Sequence, residues 1–227
     1  MNRTLSAPLL AGLIAFAGSA HAARPFVTDD ARMVDPGGCQ VESFAKQQLR
    51  TRESEFWFLP ACNPFGKLEM TVGSTNSSDA PDSSRTVLLQ GKTVLRPLQT
   101  NDFGLALSLG TQRTTPATPA ARWNPFLNAI ASVSLRDDAV VLHANAGALN
   151  DRLASRTRGT WGLGAEILFT SRLYGIAESY GQEGERPSKQ AGLRYWVEPN
   201  RFQVDSTVGT QRGRTWMSMG IRLLFYT

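Results

Sequence analysis

The sequence predicts an all-β fold: an antiparallel up-and-down transmembrane β-barrel of about twelve strands, which follows a cleaved signal peptide. Alternation of period two runs through most of the chain. After the first residues, no apolar run is long enough to form a membrane-spanning helix. The stretch DFGLALSLG at 102–110 shows the alternation clearly, because its aromatic and leucine residues are separated by glycine, alanine and serine. These observations favour a closed barrel, since only helices and closed barrels satisfy their backbone groups in lipid.

Residues 1–22 have the features of a secretory signal peptide. Arg3 supplies the positive start, an apolar run follows, and Ala20-His21-Ala22 forms a small-residue cleavage site. Glycine and serine interrupt the apolar run, so an uncleaved anchor is the less favoured alternative. We therefore divide the chain into a signal peptide (1–22), an N-terminal periplasmic segment (23–37) and an outer-membrane β-barrel (38–227), exported to the outer membrane of a Gram-negative bacterium.

The barrel strands follow one another with short gaps. We predict them near 38–48, 54–62, 65–74, 84–95, 101–112, 126–136, 138–148, 159–171, 173–182, 189–198, 201–210 and 214–226. Ten strands is the alternative, because the fourth and ninth segments alternate least. The connections between strands alternate between short turns and long hydrophilic loops, as in outer-membrane barrels. An even strand number leaves both chain ends on the periplasmic side.

The two faces of the strands predict which side meets lipid. In a soluble sandwich the face opposite the leucines would carry long polar side chains. Here that face is mostly glycine, alanine, serine and scattered polar residues. We therefore expect the apolar side to face lipid and the small side to line a narrow lumen.

Cys39 and Cys62 are the two cysteines of the chain. An exported protein meets an oxidising compartment, where pairing is the default state. The midpoint between them falls in the polar stretch LRTRES, so a symmetric hairpin sets them opposite each other. We predict a disulfide that closes the first hairpin.

The stretch RPFVTDDARMVDPGGCQVE at 24–42 resembles the start of a family of Gram-negative outer-membrane barrel proteins described as transporters. Members are similar to an outer-membrane protein of the meta-cleavage pathway of phenol degradation. The matching residues are Arg24, Pro25, Thr28, Asp29, Asp30, Ala31, Pro36, Gly37, Val41 and Glu42. The resemblance implies a barrel and transport, assembled by the barrel-assembly machinery through an aromatic residue near the C-terminus. This chain departs slightly, because it ends Phe225-Tyr226-Thr227.

Ionisable residues also occur on the face predicted to line the lumen. Both signs are present, and pairing in a confined interior would satisfy them. They either line a selective path or form a structural network that closes the barrel. The candidate lumen residues are Glu42, Lys46, Glu69, Lys92, His143, Glu166, Arg194, Asp205 and Arg222.

Arginines are frequent in the predicted outer loops and rims. Arginine binds phosphate in a bidentate manner, and lipopolysaccharide presents phosphates at that level. Ordinary loop solvation is an equal alternative. The candidate phosphate contacts are Arg113, Arg122, Arg152, Arg156, Arg158, Arg212 and Arg214. Tryptophan and tyrosine near the segment ends predict aromatic girdles at Trp57, Trp123, Trp161, Trp196, Trp216, Tyr174 and Tyr195.

Catalytic chemistry has little support in the sequence. His143 is the one histidine after residue 22, and Ser132 or Ser134 on the adjacent strand would be its partner. Because this face points to the lumen, a lipid-cleaving site would have the wrong direction. We expect no enzyme activity, no cofactor, no metal site and no nucleic-acid partner, and we expect Asp29 and Asp30 to cap or tether the N-terminal segment.

The favoured function is therefore a passive channel or transporter for small molecules in a monomeric outer-membrane barrel. The alternative is a non-conducting envelope barrel that is structural or interacts with lipopolysaccharide. A lipid-modifying outer-membrane enzyme is the third possibility.

Overall fold

The chain forms a closed barrel of twelve antiparallel strands. The computed structural model describes residues 26–51, 53–79, 82–115 and 122–225, so the predicted signal peptide lies outside the described residues. Within these ranges, no helix is long and apolar enough to cross a membrane. The prediction of an all-β barrel is confirmed.

Each strand pairs with its neighbours in sequence, and the last strand closes on the first. The count of twelve is confirmed over the alternative of ten. The strands are β1 (Cys39–Gln48), β2 (Ser54–Cys62), β3 (Glu69–Asp79), β4 (Asp82–Arg96), β5 (Phe103–Thr115), β6 (Asn124–Leu135), β7 (Val140–Asp151), β8 (Arg156–Leu168), β9 (Leu173–Gln182), β10 (Ser188–Glu198), β11 (Phe202–Gln211) and β12 (Arg214–Phe225).

Side-chain exposure separates the two faces of the barrel wall. In β5, Leu109 is 62% exposed on the outside, whereas Ala106 and Ser108 on the inside are 3% and 2% exposed. Large apolar residues such as Leu163 on β8 and Met219 on β12 are likewise exposed on the outer face. This outer belt requires an apolar solvent, as the sequence predicted for the leucines of 102–110.

Two rims bound the barrel. The terminal rim contains the start of β1 at Cys39 and the end of β12 at Phe225, and the opposite rim contains the β1–β2 hairpin and its equivalents. At the opposite rim, the strands continue further than predicted, because polar residues still pair across them. The predicted long loops are therefore shorter than expected: β3 and β4 pair as far as Asp79 and Asp82.

The turns at the terminal rim interlock. Thr100 Oγ1 donates to Asp138 Oδ2 at 2.5 Å, and Asn101 Nδ2 donates to Asp137 Oδ1 at 2.6 Å. These contacts join the β4–β5 turn to the β6–β7 turn. Hydrogen bonds from the hydroxyls of Ser134 and Thr100 hold the pKa of Asp138 below its ordinary value.

The predicted disulfide is present. Cys39 and Cys62 are directly opposite each other in the β1–β2 pair, and their sulfurs are bonded. Next to the bond, Gly37 N–H donates to Asn63 O at 2.8 Å, and Asn63 N–H donates to Gly38 O at 3.0 Å. The bond thus fastens the place where the N-terminal segment meets the barrel wall.

Candidate functional site

Residues 26–34 lie inside the barrel, and we call them the plug segment. Phe26, Thr28 and Ala31 are all less than 5% exposed. The segment contacts side chains of five strands, β3, β4, β6, β7 and β9. The expectation of a purely periplasmic segment at 23–37 is thereby corrected for these residues. The physical reason is that lumen side chains supply partners for the backbone N–H groups of an extended chain.

Backbone N–H groups of the plug segment donate to the wall. Val27 N–H and Thr28 N–H donate to Glu178 Oε1 and Oε2, both at 2.6 Å. Ala31 N–H donates to Ser132 Oγ at 2.9 Å. The two bonds to the Glu178 carboxylate are charge-assisted, and bonds of that kind are roughly twice as strong as neutral ones. The plug segment is therefore held through its backbone by side chains of the wall.

An ion pair adds to these bonds. Lys92 Nζ lies 2.7 Å from Asp29 Oδ1 and 3.5 Å from Asp30 Oδ1. Asn145 fixes the backbone of Asp29, since it accepts from Asp29 N–H at 2.7 Å and donates to Asp29 O at 2.9 Å. Asp29 and Asp30 do tether the N-terminal segment, and the anchor is the side chain of Lys92 inside the lumen.

The first residues of the plug segment pack against glycines on the inner face of β8. A side chain at Gly164 would collide with the Phe26 ring, and one at Gly162 would crowd Thr28. The Phe26 ring meets the His143 ring edge-on at 5.9 Å and lies 5.8 Å from the Arg194 guanidinium. The small inner face of β8 thus makes room for this residue.

Most predicted lumen charges are buried in the interior. Glu42, Glu69, Lys92, His143, Glu166, Arg194 and Asp205 are buried, whereas Lys46 and Arg222 are partly buried. They bond to each other rather than to open water. Arg194 lies 2.7 Å from Glu166 Oε1 and 2.9 Å from Asp205 Oδ2. Arg222 lies 3.3 Å from Glu42 Oε1, and Lys46 lies 3.5 Å from Glu55 Oε1.

A polar network on β9–β12 escaped the sequence prediction. Gln190 Nε2 donates to Glu178 Oε1 at 2.5 Å, and Gln190 Oε1 accepts from Thr207 Oγ1 at 3.1 Å. Thr207 also bonds to Ser218. Glu178 was missed because its neighbours Ala177 and Ser179 give β9 no strong alternation. Its inward position follows once the pairing Gly164↔Glu178 is known.

Inward-facing apolar residues fill another part of the lumen, and we call them the apolar cluster. They come from the wall itself and from strands β1 to β7 only: Phe44, Trp57, Leu59, Leu88, Phe126 and Leu149. Trp57 and Phe44 stack with their ring centroids 5.7 Å apart. Trp57 is therefore buried inside, and Trp216 on β12, outside this cluster, is also buried, which corrects their assignment to an outer aromatic girdle. Each of these tryptophans is separated by an even number of positions from inward-facing residues of its own strand, so it lies on the inner face. A shift of one residue would turn it to the lipid.

Little free volume remains beside the plug segment. One cavity of about 40 Å³ lies between Asp30, Glu42 and Lys92. Another of about 30 Å³ lies between Thr28, Asn145 and Tyr180. A cavity of this size holds only a few water molecules at most. In this conformation the plug segment leaves only these small spaces around residues 28–30.

His143 joins a serine to a carboxylate. His143 Nδ1 lies 2.8 Å from Ser132 Oγ, and Nε2 lies 3.2 Å from Glu166 Oε1. These groups resemble the parts of a nucleophilic site. However, Ser132 accepts from the plug segment and is fully buried. The arrangement faces the plug segment and not the lipid.

The candidate phosphate-binding arginines differ in their surroundings. Arg156, Arg158 and Arg214 lie within 3.6 Å of Glu183, Glu185 and Glu53 respectively. The exposed others are Arg113, Arg122, Arg152 and Arg212. Phosphate contact by any of these residues stays a prediction.

Solved structures share this fold. The KdgM porin aligns with a TM-score of 0.65 at 10% identity, covering 82% of this chain and 99% of that one. The NanC porin aligns with a TM-score of 0.59 at 8% identity, covering 81% and 98%. An active-site mutant of outer membrane phospholipase A from Escherichia coli gives 0.53 at 9% identity, covering 86% and 93%. At these identities the similarity shows the fold alone, which is that of outer-membrane barrels.

A comparison with curated protein sequences found no significant match. The resemblance to the phenol-degradation protein therefore stays a prediction, while the barrel that it implied is present. The chain matches the family described as "Uncharacterised conserved protein UCP029691" over residues 10–225, and it belongs to that family.

Proposed function

We propose that this protein is an outer-membrane pore for small solutes whose lumen is closed at rest by its own plug segment. The observation that carries the proposal is a short N-terminal segment inside the barrel, bound to polar side chains of the wall. The wall behind the segment is lined by groups such as Asn145, Glu178 and Gln190, which water or a polar solute could also satisfy. Porin neighbours with the same fold support it.

The attachment of the plug segment favours opening. No strand pairing holds it among the described residues: its hold on the wall consists of hydrogen bonds, the Lys92 ion pair and the packing of side chains such as Ala31. It joins β1 through Gly37, whose φ of 79° is readily adopted by glycine. Asn63 steadies this joint, because its Nδ2 donates to Val34 O at 2.7 Å. The segment can swing out at this joint while the barrel stays closed.

Conductance of the full chain in a planar bilayer tests the proposal. The wild type should be closed most of the time. Asp29→Asn combined with Asp30→Asn removes the ionic tether and leaves the wall unchanged, so the open fraction should rise about tenfold or more, the effect of losing roughly 1.4 kcal/mol of closed-state preference. Asp35→Asn is the matched control, since Asp35 is exposed and directly follows the plug segment. It should conduct as the wild type does.

Silence of both proteins in the bilayer would contradict the proposal. The runner-up function, a non-conducting envelope barrel, would then take its place. The apolar cluster favours that reading, because Phe44, Trp57 and Phe126 narrow the lumen independently of the plug segment. Binding of lipopolysaccharide by the exposed rim arginines belongs to this second candidate.

We propose that Ser132, His143 and Glu166 have a structural role and that the protein is not an enzyme. The plug segment bonds to Ser132 and packs Phe26 against His143. A fluorophosphonate probe should leave Ser132 unlabelled in wild type and in the Asp29→Asn, Asp30→Asn variant. Labelling that disappears with Ser132→Ala would support the lipid-modifying alternative instead.

A further inference from the structure

We infer that the lumen beneath the plug segment is a binding site for small cationic solutes that donate hydrogen bonds, such as alkylammonium compounds. The inference rests on the proposed function, since the plug segment must leave before a solute can bind. It goes beyond that function because it names the chemical class of the solute.

Glu178 is the centre of the site. Its side chain is buried, and it accepts from two backbone N–H groups of the plug segment and from Gln190 Nε2. Among the described residues, no lysine or arginine forms an ion pair with it. The plug segment thus supplies hydrogen-bond donors where a buried carboxylate needs them. When the segment leaves, an ammonium group can supply the same donors together with a full positive charge.

The charge of the surrounding wall points in the same direction. Carboxylates outnumber cations on the wall behind the plug segment: Glu42, Glu69, Glu166, Glu178 and Asp205 face Lys92, Arg194 and Arg222. The two arginines already lie against carboxylates of the wall. Release of the plug segment therefore leaves a lumen of net negative charge, and a narrow lumen of that sign concentrates cations.

Lys92 offers the opposing possibility. Once Asp29 and Asp30 leave, its ammonium group could receive a carboxylate of an anionic solute. However, Glu69 lies close enough to Lys92 to interact electrostatically with it. Lys92 therefore keeps a wall carboxylate as its counter-charge, whereas Glu178 has no such partner among the wall residues that the structure describes. The geometry favours the cation.

Calorimetric titration of spermidine into the full chain tests the inference. The protein carries Asp29→Asn and Asp30→Asn to free the lumen and is held in zwitterionic micelles. Spermidine should bind, and the further change Glu178→Gln should weaken that binding at least tenfold. Glu198→Gln is the matched control, because Glu198 is an exposed carboxylate at the end of β10. It should leave the affinity unchanged.

A second measurement follows the plug segment itself. Spermidine should speed trypsin cleavage of the Arg32–Met33 bond in the wild type, because it competes with the segment for Glu178. The Glu178→Gln variant should show no such acceleration by spermidine. Malonate, a dianion, should neither bind nor accelerate cleavage.

Three results would overturn the inference. The first is no spermidine binding, and the second is an equal loss of spermidine affinity with Glu178→Gln and Glu198→Gln. The third is binding of malonate that disappears with Lys92→Gln. Failure of the proposed function looks different. If spermidine binds through Glu178 while the bilayer stays silent, the pore is wrong and the cation site stands. If the bilayer conducts but spermidine does not bind, the pore stands and the cation site is wrong.

Discussion

Two kinds of material fill the lumen, and they are held in different ways. The apolar cluster is made of wall side chains that pack against each other, such as Phe44 on Trp57. The plug segment is a separate stretch of chain held mainly by hydrogen bonds and one lysine, as at Glu178 and Lys92, with a smaller apolar contact at Ala31. We expect the cluster to leave the lumen only if the barrel unfolds, whereas we propose that the segment can leave while the barrel remains.

This difference separates stability from opening. Burial of large apolar side chains contributes directly to the free energy of unfolding. Polar contacts with a tethered segment exchange for contacts with water, so their net contribution is smaller. Changes in the wall should therefore lower the unfolding midpoint, and changes in the plug segment should alter its release.

The largest effect is expected for Arg194→Ala. The change leaves Glu166 and Asp205 buried without their guanidinium, and breaking a buried pair typically costs about 3–5 kcal/mol. In micelles, the midpoint of unfolding by guanidinium chloride should fall accordingly. Arg201→Ala removes an exposed pair with Glu198 and should have almost no effect. Equal midpoints for both variants would mean that the interior is open to water.

Leu149→Ala tests the apolar cluster alone. Leu149 is 1% exposed, and removing a buried leucine side chain typically costs about 2–5 kcal/mol. Trypsin cleavage after Arg32 should keep its wild-type rate under native conditions. If Asp29→Asn with Asp30→Asn lowers the unfolding midpoint as much as Leu149→Ala does, the distinction between the apolar cluster and the plug segment is wrong.

Removal of the disulfide connects the two regions. Cys39→Ser with Cys62→Ser should lower stability by up to about 3 kcal/mol, because a loop of this size gains about that much from cross-linking. The same change loosens the joint at Gly37 and Asn63, so trypsin should cut after Arg32 faster. Unchanged cleavage with a lowered midpoint would show that the joint is independent of the bond.

The smallest effect concerns the turns of the terminal rim. The pKa of Asp138 in the folded protein lies below its ordinary value of 3.8. The stabilisation is therefore present above pH 3.8 and is lost as the pH falls through the lower folded-state pKa. The unfolding midpoint should fall slightly in that acid range. Asp138→Asn should lack this part of the decrease, while the plug segment should be retained equally in both proteins.

Alternation was sufficient to predict the wall. The lipid-facing leucines of β5 and the facing positions of Cys39 and Cys62 follow from a period of two and a symmetric hairpin. The bounds of β3 were less accurate, because residues 75–79 pair with β4 although they have no apolar side. Hydrophobic patterns end where the lipid ends, but backbone pairing continues into water.

The plug segment could not be predicted from local pattern. Residues 26–34 have no periodicity, and their partners, such as Glu178 and Ser132, lie more than a hundred positions away. A trace was present in β8, where Gly162 and Gly164 leave space on the inner face. That space indicated a narrow lumen, but only the structure identifies the occupant.

The position of the plug segment also constrains how the barrel can be assembled. Val27 and its partner Glu178 are separated by 151 positions, so their contact must wait until β9 has been delivered. Closure of β1 against β12 then has to enclose a segment that precedes every strand around it in the chain. The residues that arrive first are thus among the last to reach their final contacts. Assembly intermediates should accordingly carry an exposed N-terminus until the final seam forms.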